Sequence, residues 1–476
     1  MSKYFQRGTT WSFVSSSYFG VRQSDKGFVF DVGGSTAFPQ ETDLNLITGY
    51  LCSSLAYKLM NVMNPTMNFQ VGNVASLPIL EDKVAEIKPQ VDEIVEEAVA
   101  IARADWDSFE TSWDFTRLPM LAQCGSPHEV RAQNDDETKE HTYFVRVSAL
   151  KVNSVEECWR EWESLCNQRL ARMQQLETEN NRLFINAYGL QDELAPEVPL
   201  EQITLARADA AKDTRRLLSY FVGCAMGRYS LDAPGLIYAD AGNLGFDPSR
   251  YTTFPADADG IIPVTDLEWF DDEAAIRFAH FVRCAFRDEG RGMRDETEQG
   301  VSGSSLIPHP SSLAWVAQQL NPKASETPLE TVRRYFSQSF FKDHTQTYKK
   351  RPIYWLFSSG KHKAFECLVY LHRYHAGTLA RMRTDYVTPL LGKMHARREM
   401  LAQDQEAAPT TAAKNKIAKQ LEALRHKLAE LAQFDDQLRH YADKRITLDL
   451  DDGVKVNYGK FGNLLADVKI IAAEKE

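Results

Sequence analysis

No stretch of this 476-residue chain approaches the roughly 18 consecutive apolar residues that a membrane-crossing helix needs. The N-terminus, Met1 to Gly8, lacks the apolar core of a secretory signal. Cysteine is scarce: Cys52, Cys124, Cys158, Cys166, Cys224, Cys284 and Cys367 are an odd number, scattered, with no Cys-x-x-Cys pair. That pattern argues against zinc ligands or a disulfide frame and predicts buried free thiols in a reducing cytoplasm. A Gly-x-x-x-x-Gly-Lys phosphate loop is missing, so Gly33-Gly34-Ser35 reads as a strand-to-helix turn. His372 and His375 form a lone His-x-x-His without a neighbouring Glu, and no metal site is expected. No Ser/His/Asp nucleophile setting and no nuclease carboxylate–Lys cluster stands out either.

The length suits two to four domains, and 43 % hydrophobic residues suffice for ordinary cores. The net charge of −11 is unevenly spread. Lys342 to Arg398 holds twelve Lys/Arg against three Asp/Glu, so the remainder is more acidic than the total suggests. Segregation of this kind predicts a basic, phosphate-facing surface on an acidic body.

The organising stretch is Asn64 to Leu80. Before it, Leu44, Ile47, Leu51, Leu55 and Leu59 recur at helical spacing, predicting one helix over Leu44–Met60 that Asn64-Pro65 terminates. An extended Phe69-Gln70-Val71, a Gly72 turn and a Leu77-Pro78-Ile79 stop follow. This elbow presents Asn68, Gln70 and Asn73, whose side chains pair donors with acceptors and suit base edges. Upstream, Thr10–Arg22 and Gly27–Val32 read as strands.

Downstream, helices are expected over 80–105, with Pro89 bending or delaying the first, over 154–188 and around 204–232. The acids and aromatics of Asp105–Phe115 invite metal or acid/base chemistry, but a surface-capped aromatic anchor with Asp and Ser as helix caps is the favoured reading. Residues 120–145 read as a linker. Gly223 and Gly227 point to close helix packing. Asp257-Ala258-Asp259-Gly260 has the look of a calcium-loop centre, but Pro255 holds the first ligand position, which favours a turn toward Asp271-Asp272 as helix caps. In the basic segment, Lys349, Lys350 and Arg351 precede an aromatic strand, Tyr354–Phe357, and Ser358–Lys361 turns into a helix carrying Phe365, Leu368, Val369, Leu371 and Tyr374. Lys361 and Lys363 complete the phosphate candidates. A helix over 379–402 and a second over 415–444 follow. On the second, Ile417, Leu421, Leu424, Leu428, Leu431 and Leu438 form a seam, predicting an antiparallel hairpin within the chain. Asp449–Phe461 closes as a turn and strand.

Several of these motifs carry a resemblance. Leu51-Cys52-Ser53-Ser54 leading into an Asn/Gln elbow and a Leu-Pro-Ile exit resembles the target recognition domains of DNA methyltransferases and restriction specificity subunits. Asn64-Pro65-Thr66-Met67-Asn68-Phe69-Gln70-Val71-Gly72 resembles the C-terminal half of PglX, the adenine-specific DNA methyltransferase family of bacterial BREX phage-defence systems. Asp105–Phe115, Gly227-Arg228-Tyr229-Ser230 and Asp449–Phe461 extend the likeness along the chain.

The resemblance implies an α+β, mostly helical fold: a target-recognition-like unit over 1–80, a helix with an aromatic and acidic linker over 81–145, a helical domain with an acidic insertion over 146–335, and a basic aromatic segment, helical hairpin and closing turn-strand over 336–476. It implies recognition of double-stranded DNA at a specific site in a bacterial cytoplasm, with other BREX components or a phage-encoded inhibitor as further partners. An adenine methyltransferase also needs a glycine-rich S-adenosylmethionine loop and an Asn-Pro-Pro-Tyr-type motif. Neither is found: Asn64-Pro65-Thr66-Met67 lacks the second proline and the aromatic. The chain therefore reads as a C-terminal piece of a longer parent, truncated or separately made. No catalytic residue, no metal and no cofactor of its own is expected, with S-adenosylmethionine belonging to the full-length parent. The alternative reading is an assembly module that docks other BREX or phage-encoded proteins.

Overall fold

The computed structural model describes residues 3–15, 18–122, 154–286 and 310–472. The fold is mostly helical α+β with two three-stranded sheets. Two compact units form, Met1–Asp107 with Glu163–Ala208, and Ser108–Trp162 with Asp209–Glu476. Boundaries at 80, 145 and 335 follow changes of sequence pattern. The units follow burial instead, so the segment from Glu163 groups with the first 107 residues. Beyond Ala122, the linker expected over 120–145 lies outside the described residues.

In the first unit Gly8–Ser12 (β1) pairs antiparallel with Val21–Ser24 (β2) and Gly34–Ala37 (β3), in the order β2-β1-β3. The strand expected over Thr10–Arg22 is thus two strands. It breaks because the chain after Ser12 leaves the sheet to pair elsewhere, Val14 bridging to Asn68. Gly27–Val32 is not a strand. Gly27 has φ +97°, Phe28, Val29 and Val32 are exposed, and Asp31 Oδ1 accepts from the amides of Gly33 and Gly34 in a turn. The helix expected over Leu44–Met60 is likewise two, Leu44–Cys52 (α1) and Ser54–Met63 (α2). Ser53 separates them: with ψ 151° it caps α2, accepting from the Ala56 amide at 3.2 Å. Val71–Ala75 (α3) is a short helix, so Gly72 lies inside it and makes no turn.

Glu81–Trp106 (α4) runs on through Pro89, and Val155–Ala187 (α6) supplies the last wall of this core from Glu163 onward. Trp11, Tyr50, Leu55, Met60, Phe69, Val91 and Phe184 fill it. Gly49 of α1 packs tightly against α4. A Cβ there would stand 2.7 Å from Val91 and 2.9 Å from Asn180 Oδ1, while Asn180 Nδ2 donates to the Gly49 carbonyl at 2.9 Å. Gly49→Ala is expected to destabilise this unit by about 1–3 kcal/mol through overpacking, read from urea unfolding followed at the Trp11 core.

The second unit holds Pro119–Ala122 (α5), Ala210–Ala225 (α7), Ile261–Pro263 (β4), Ala274–Ala285 (α8), Pro310–Gln319 (α9) and Pro328–Tyr335 (α10). A π turn, Phe336–Phe340, leads into Phe341–Thr347 (α11). Tyr354–Ser358 (β5) and Glu366–Tyr370 (β6) form a hairpin, and the sheet order is β4-β6-β5, all antiparallel. The helix expected from Phe365 to Tyr374 is therefore a strand. Each of its five residues is buried, Glu366 included, so both faces are covered and there is no strand alternation to read. Gly223 does not admit a second helix; a Cβ there would sit 2.5 Å from the Tyr229 ring. Gly227, at φ +79°, ends α7.

Thr378–Arg381 (α12), a second π turn over Met382–Val387 and Thr388–Ala407 (α13) form the first arm of the late hairpin. Thr411–Asp443 (α14) returns beside it, with Leu424, Leu428, Leu431 and Leu438 of the expected seam buried together with Phe434, while Ile417 and Leu421 are half-buried. The closing segment is not a strand. Gly453–Gly459 (α15) is helical, with Asn457 Nδ2 donating to the Gly453 carbonyl at 2.9 Å, and Val468–Ile471 (α16) follows. Strand-like pairing occurs later, where Leu465 bridges Phe357. Of the cysteines, Cys166, Cys224 and Cys367 are buried free thiols, but Cys52 is exposed, Cys284 is half-buried and Cys158 is disulfide-bonded, which departs from the expectation.

Asp257, Asp259 and Asp272 gather at β4. Asp257 Oδ1 accepts from the amides of Asp259 and Gly260, and its Oδ2 pairs with Arg277 at 2.9 Å, so the segment is the expected turn. Asp271 and Asp272 do not cap α8, whose N-cap is Glu273; Asp272 is engaged by Tyr386 instead. The Tyr386 hydroxyl stands 3.1 Å from both Asp259 Oδ2 and Asp272 Oδ2 and has one proton to give. Burial, then neighbouring Asp257, pushes the Asp259 carboxyl up to about 7. The folded state thus holds a proton that the unfolded state, with an ordinary carboxyl near 3.8, has released. The associated stability is complete below about pH 4 and lost as pH rises to about 7. Asp259→Asn should flatten the fall in melting temperature across that window, as measured by scanning calorimetry.

Candidate nucleic-acid interface

The elbow begins where α2 ends at Met63. Asn64 organises its backbone: Nδ2 donates to the Asn68 carbonyl at 2.6 Å and to Asn73 Oδ1 at 3.2 Å, and Oδ1 accepts from Thr66 Oγ1 at 2.7 Å. The chain then clips to the strand-side segment. The Phe69 amide donates to the Phe13 carbonyl at 2.7 Å, Trp11 Nε1 to the Phe69 carbonyl at 2.9 Å, and the Ser15 amide to the Met67 carbonyl at 3.0 Å. Phe69 points inward against Phe19, ring centroids 4.8 Å apart. The Leu-Pro exit is fastened too, because Tyr50 and Tyr188 both donate to the Pro78 carbonyl at 2.7 Å.

This frame sorts the three predicted base readers. Gln70 is exposed, in extended backbone ahead of α3, and makes no cap bond with its side chain. Asn68 and Asn73 are half-buried, and Asn73 Oδ1 already accepts from Asn64. The elbow thus displays Gln70 fully and the two asparagines in part. Sequence reasoning missed Asn64, which looked like a helix terminator and is the hub; a polar side chain next to Pro65, with four more polar residues within nine positions, was the available signal.

The predicted phosphate contacts lie in the second unit, at two places. Lys349, Lys350 and Arg351 are exposed on the turn between α11 and β5. Lys349 and Lys350 have φ of +49° and +63°, and their amides donate back to Gln346 and Thr345. Two successive left-handed residues that are not glycine carry a local conformational cost of roughly 1–2 kcal/mol each. Lys361 is exposed at the β5–β6 turn, at the other end of a five-residue strand that spans roughly 16 Å. Lys363 sits near it but is occupied, since its Nζ donates to the Ser337 carbonyl and pairs with the buried Glu366 at 3.2 Å. The β5–β6 turn is held from below by Glu430 of α14, which accepts from Ser359 Oγ at 2.7 Å and from the amides of His362 at 2.6 Å and Ala364 at 3.1 Å.

The basic surface is smaller than the charge count implies. Arg373 is fully buried, Arg383 pairs with Asp435 through two hydrogen bonds of 2.8 and 3.0 Å, and Lys393 donates to the Trp269 carbonyl. Exposed cations do continue past Arg398, at Lys414, Lys416 and Lys419 on α14, off the apolar seam. The sequence reading stopped at Arg398 and omitted them. Glu430→Ala should cost about 2–3 kcal/mol and speed hydrogen exchange at the His362 and Ala364 amides, leaving exchange in the elbow unchanged.

No family model matches the chain. The adenine-specific methyltransferase BrxX of Escherichia coli O9:H4 (strain HS) is 39 % identical over 485 residues, covering 98 % of this chain and 37 % of the relative. The adenine-specific methyltransferase PglX of Lacticaseibacillus casei (strain Zhang) is 35 % identical over 475 residues, covering 99 % of this chain and 35 % of the relative. Nearly all of the chain is thus similar to these adenine-specific methyltransferases, and it spans a little over a third of their length.

Proposed function

We propose that this chain is the DNA-recognition portion of a BREX adenine-specific methyltransferase and carries no methyl-transfer motifs of its own. The observation that supports it most is the elbow. Its backbone is fixed by pairing on both sides, and it presents Gln70, with Asn68 and Asn73 beside it, on a segment aligned with the homologous methyltransferases. An amide side chain on a fixed backbone can make a two-point contact with adenine, worth roughly 1–3 kcal/mol of discrimination. Lys349, Lys350, Arg351 and Lys361 supply phosphate contacts, and Lys363 contributes to the fold rather than to DNA. S-adenosylmethionine would be held by the remainder of a full-length parent. The alternative of docking through the hairpin seam has less support, because Leu424, Leu428 and Leu431 are already buried.

Binding of the chain to duplexes of random and candidate sequence across a salt series tests this. Site-preferring binding that weakens steeply with salt supports the proposal; no binding at low salt overturns it. Lys350→Ala should reduce the salt slope by about one without altering preference, and Lys363→Ala should leave the slope unchanged. Gln70→Ala should reduce preference by roughly 1–3 kcal/mol with the slope intact.

A further inference from the structure

Lys349 and Lys350 hold left-handed backbone without being glycine, at φ +49° and +63°. Their amides close the end of α11, donating to the Gln346 carbonyl at 3.1 Å and the Thr345 carbonyl at 2.8 Å. Exposed helix ends fray, and strained backbone persists only where its surroundings over-determine it. The residues flanking the turn supply that constraint.

Tyr348 stands on the N-terminal side. Its hydroxyl accepts from Arg228 Nη1 at 2.7 Å, which leaves its own proton for the buried Glu110 carboxyl. Glu110 lines an aromatic cavity with Phe115 and Tyr220, and Ser219 donates to its Oε1. Burial raises this carboxyl, and Arg228, Ser219 and Tyr348 draw it back down. The Arg228 guanidinium also lies over the Tyr348 ring, 5.7 Å from its centroid. Arg228 is itself fixed just past α7, its amide donating to the Gly223 carbonyl at 2.8 Å.

His344 governs the C-terminal side. Its Nε2 accepts from the amides of Ile353 and Tyr354 at 3.0 and 3.1 Å, which pins the chain as it enters β5. Burial, reinforced by Arg228, lowers the imidazole to about 3, so the ring is neutral and keeps that acceptor. The same ring packs on both flanks, with centroids 4.7 Å from Tyr348 and 4.8 Å from Tyr354. One imidazole thus joins the residue before the turn to the residues after it. The Tyr348 hydroxyl is engaged and His344 is buried, so neither reaches a ligand phosphate directly.

We infer that Tyr348 and His344 are positioning residues, which together hold the Lys349–Lys350–Arg351 turn in the conformation in which its cations meet a polyanion backbone. The contact with phosphate rests on the DNA reading; the bracing of the turn does not. A turn ordered before contact avoids the ordering cost that opposes binding. Loss of the brace therefore lowers affinity but leaves the neutralised phosphates, and with them the salt slope, as they were. Loss of a lysine lowers the slope itself.

Limited trypsin digestion of the full chain, paired with duplex binding across a salt series, tests this. Pro352 protects the bond after Arg351, so cleavage after Lys349 and Lys350 reports on the turn. Tyr348→Phe, which keeps the ring, should speed that cleavage roughly tenfold, with cleavage at Lys414 and Lys416 of α14 as the unchanged reference. It should also weaken duplex binding about tenfold at every salt concentration, with the slope intact. His344→Leu should do the same, and His344→Gln, whose amide oxygen can accept, should restore part of both. Should the His344 variants fail to fold, Tyr348→Phe decides. Unchanged cleavage at the turn in the folded variant overturns the proposal, and so does faster cleavage with duplex affinity retained. A wild-type chain that binds no duplex overturns the recognition reading instead, and cleavage alone then decides the brace.

Discussion

The second unit depends on one buried cation. The Arg373 side chain has no exposure to solvent, so its guanidinium must satisfy its donors within the protein. Nε donates to Asn243 Oδ1 at 2.6 Å, Nη1 to the Asp257 carbonyl at 3.0 Å and, at 3.5 Å, to the Met226 carbonyl, and Nη2 to the Ala258 carbonyl at 3.0 Å; Phe246 stacks on its face at 3.6 Å. Met226 caps the C-terminus of α7, where the helix presents its partial negative charge. The Asp257–Ala258 carbonyls belong to the turn that leads into β4, and Arg373 itself follows β6. One side chain therefore ties a helix end, a turn and a sheet together without a direct carboxylate partner. Gly260, at φ +75°, completes the arrangement; a Cβ there would stand 3.0 Å from Arg373 Cβ.

Arg373 also explains why a charge count overstates a surface. In the sequence it is one of twelve cations between Lys342 and Arg398. In the fold, Arg373, Lys363 and Arg383 use their donors internally, and Lys349, Lys350, Arg351 and Lys361 remain exposed at opposite ends of β5. Nothing in composition distinguishes the two groups, because the distinction depends on which carbonyls and carboxylates the fold brings near. The acidic majority has the same ambiguity. Glu430 and Asp435 hold parts of the fold together from α14, while Glu110 is carried into an aromatic cavity.

What could be read in advance was whatever repeats. The seam Leu424–Leu428–Leu431–Leu438 keeps its spacing over several turns, and the hairpin it predicts is present. The long helices of the first unit were legible for the same reason. Reading failed where burial is two-sided or pairing is non-local. Phe365–Leu371 is buried on both faces, so neither period dominates, and β6 stands where the sequence predicts a helix. The strand over Thr10–Arg22 divides because Phe13 and Ser15 pair with residues more than fifty positions away. At the elbow, the residue types were legible and their roles were not: Asn64, Asn68 and Asn73 are chemically alike, and only the fold makes the first a scaffold.

The scaffold matters because ordering a loop upon binding opposes affinity. In the elbow that ordering is already present in the free chain: Asn64 fixes the backbone at one end, the Phe13, Trp11 and Ser15 contacts fix the middle, and two tyrosines hold Pro78 at the other. A readout side chain such as Gln70 then loses only its own rotamer freedom when it meets a partner. The cationic turn reaches a similar state by another route, since Lys349 and Lys350 are held in left-handed backbone by amides that complete the end of α11. Base-edge candidates and phosphate candidates thus reside on separately braced segments of different units. Contacts of the first kind carry sequence information and contacts of the second kind carry charge. In this chain, preference and salt dependence should therefore be separable by substitution.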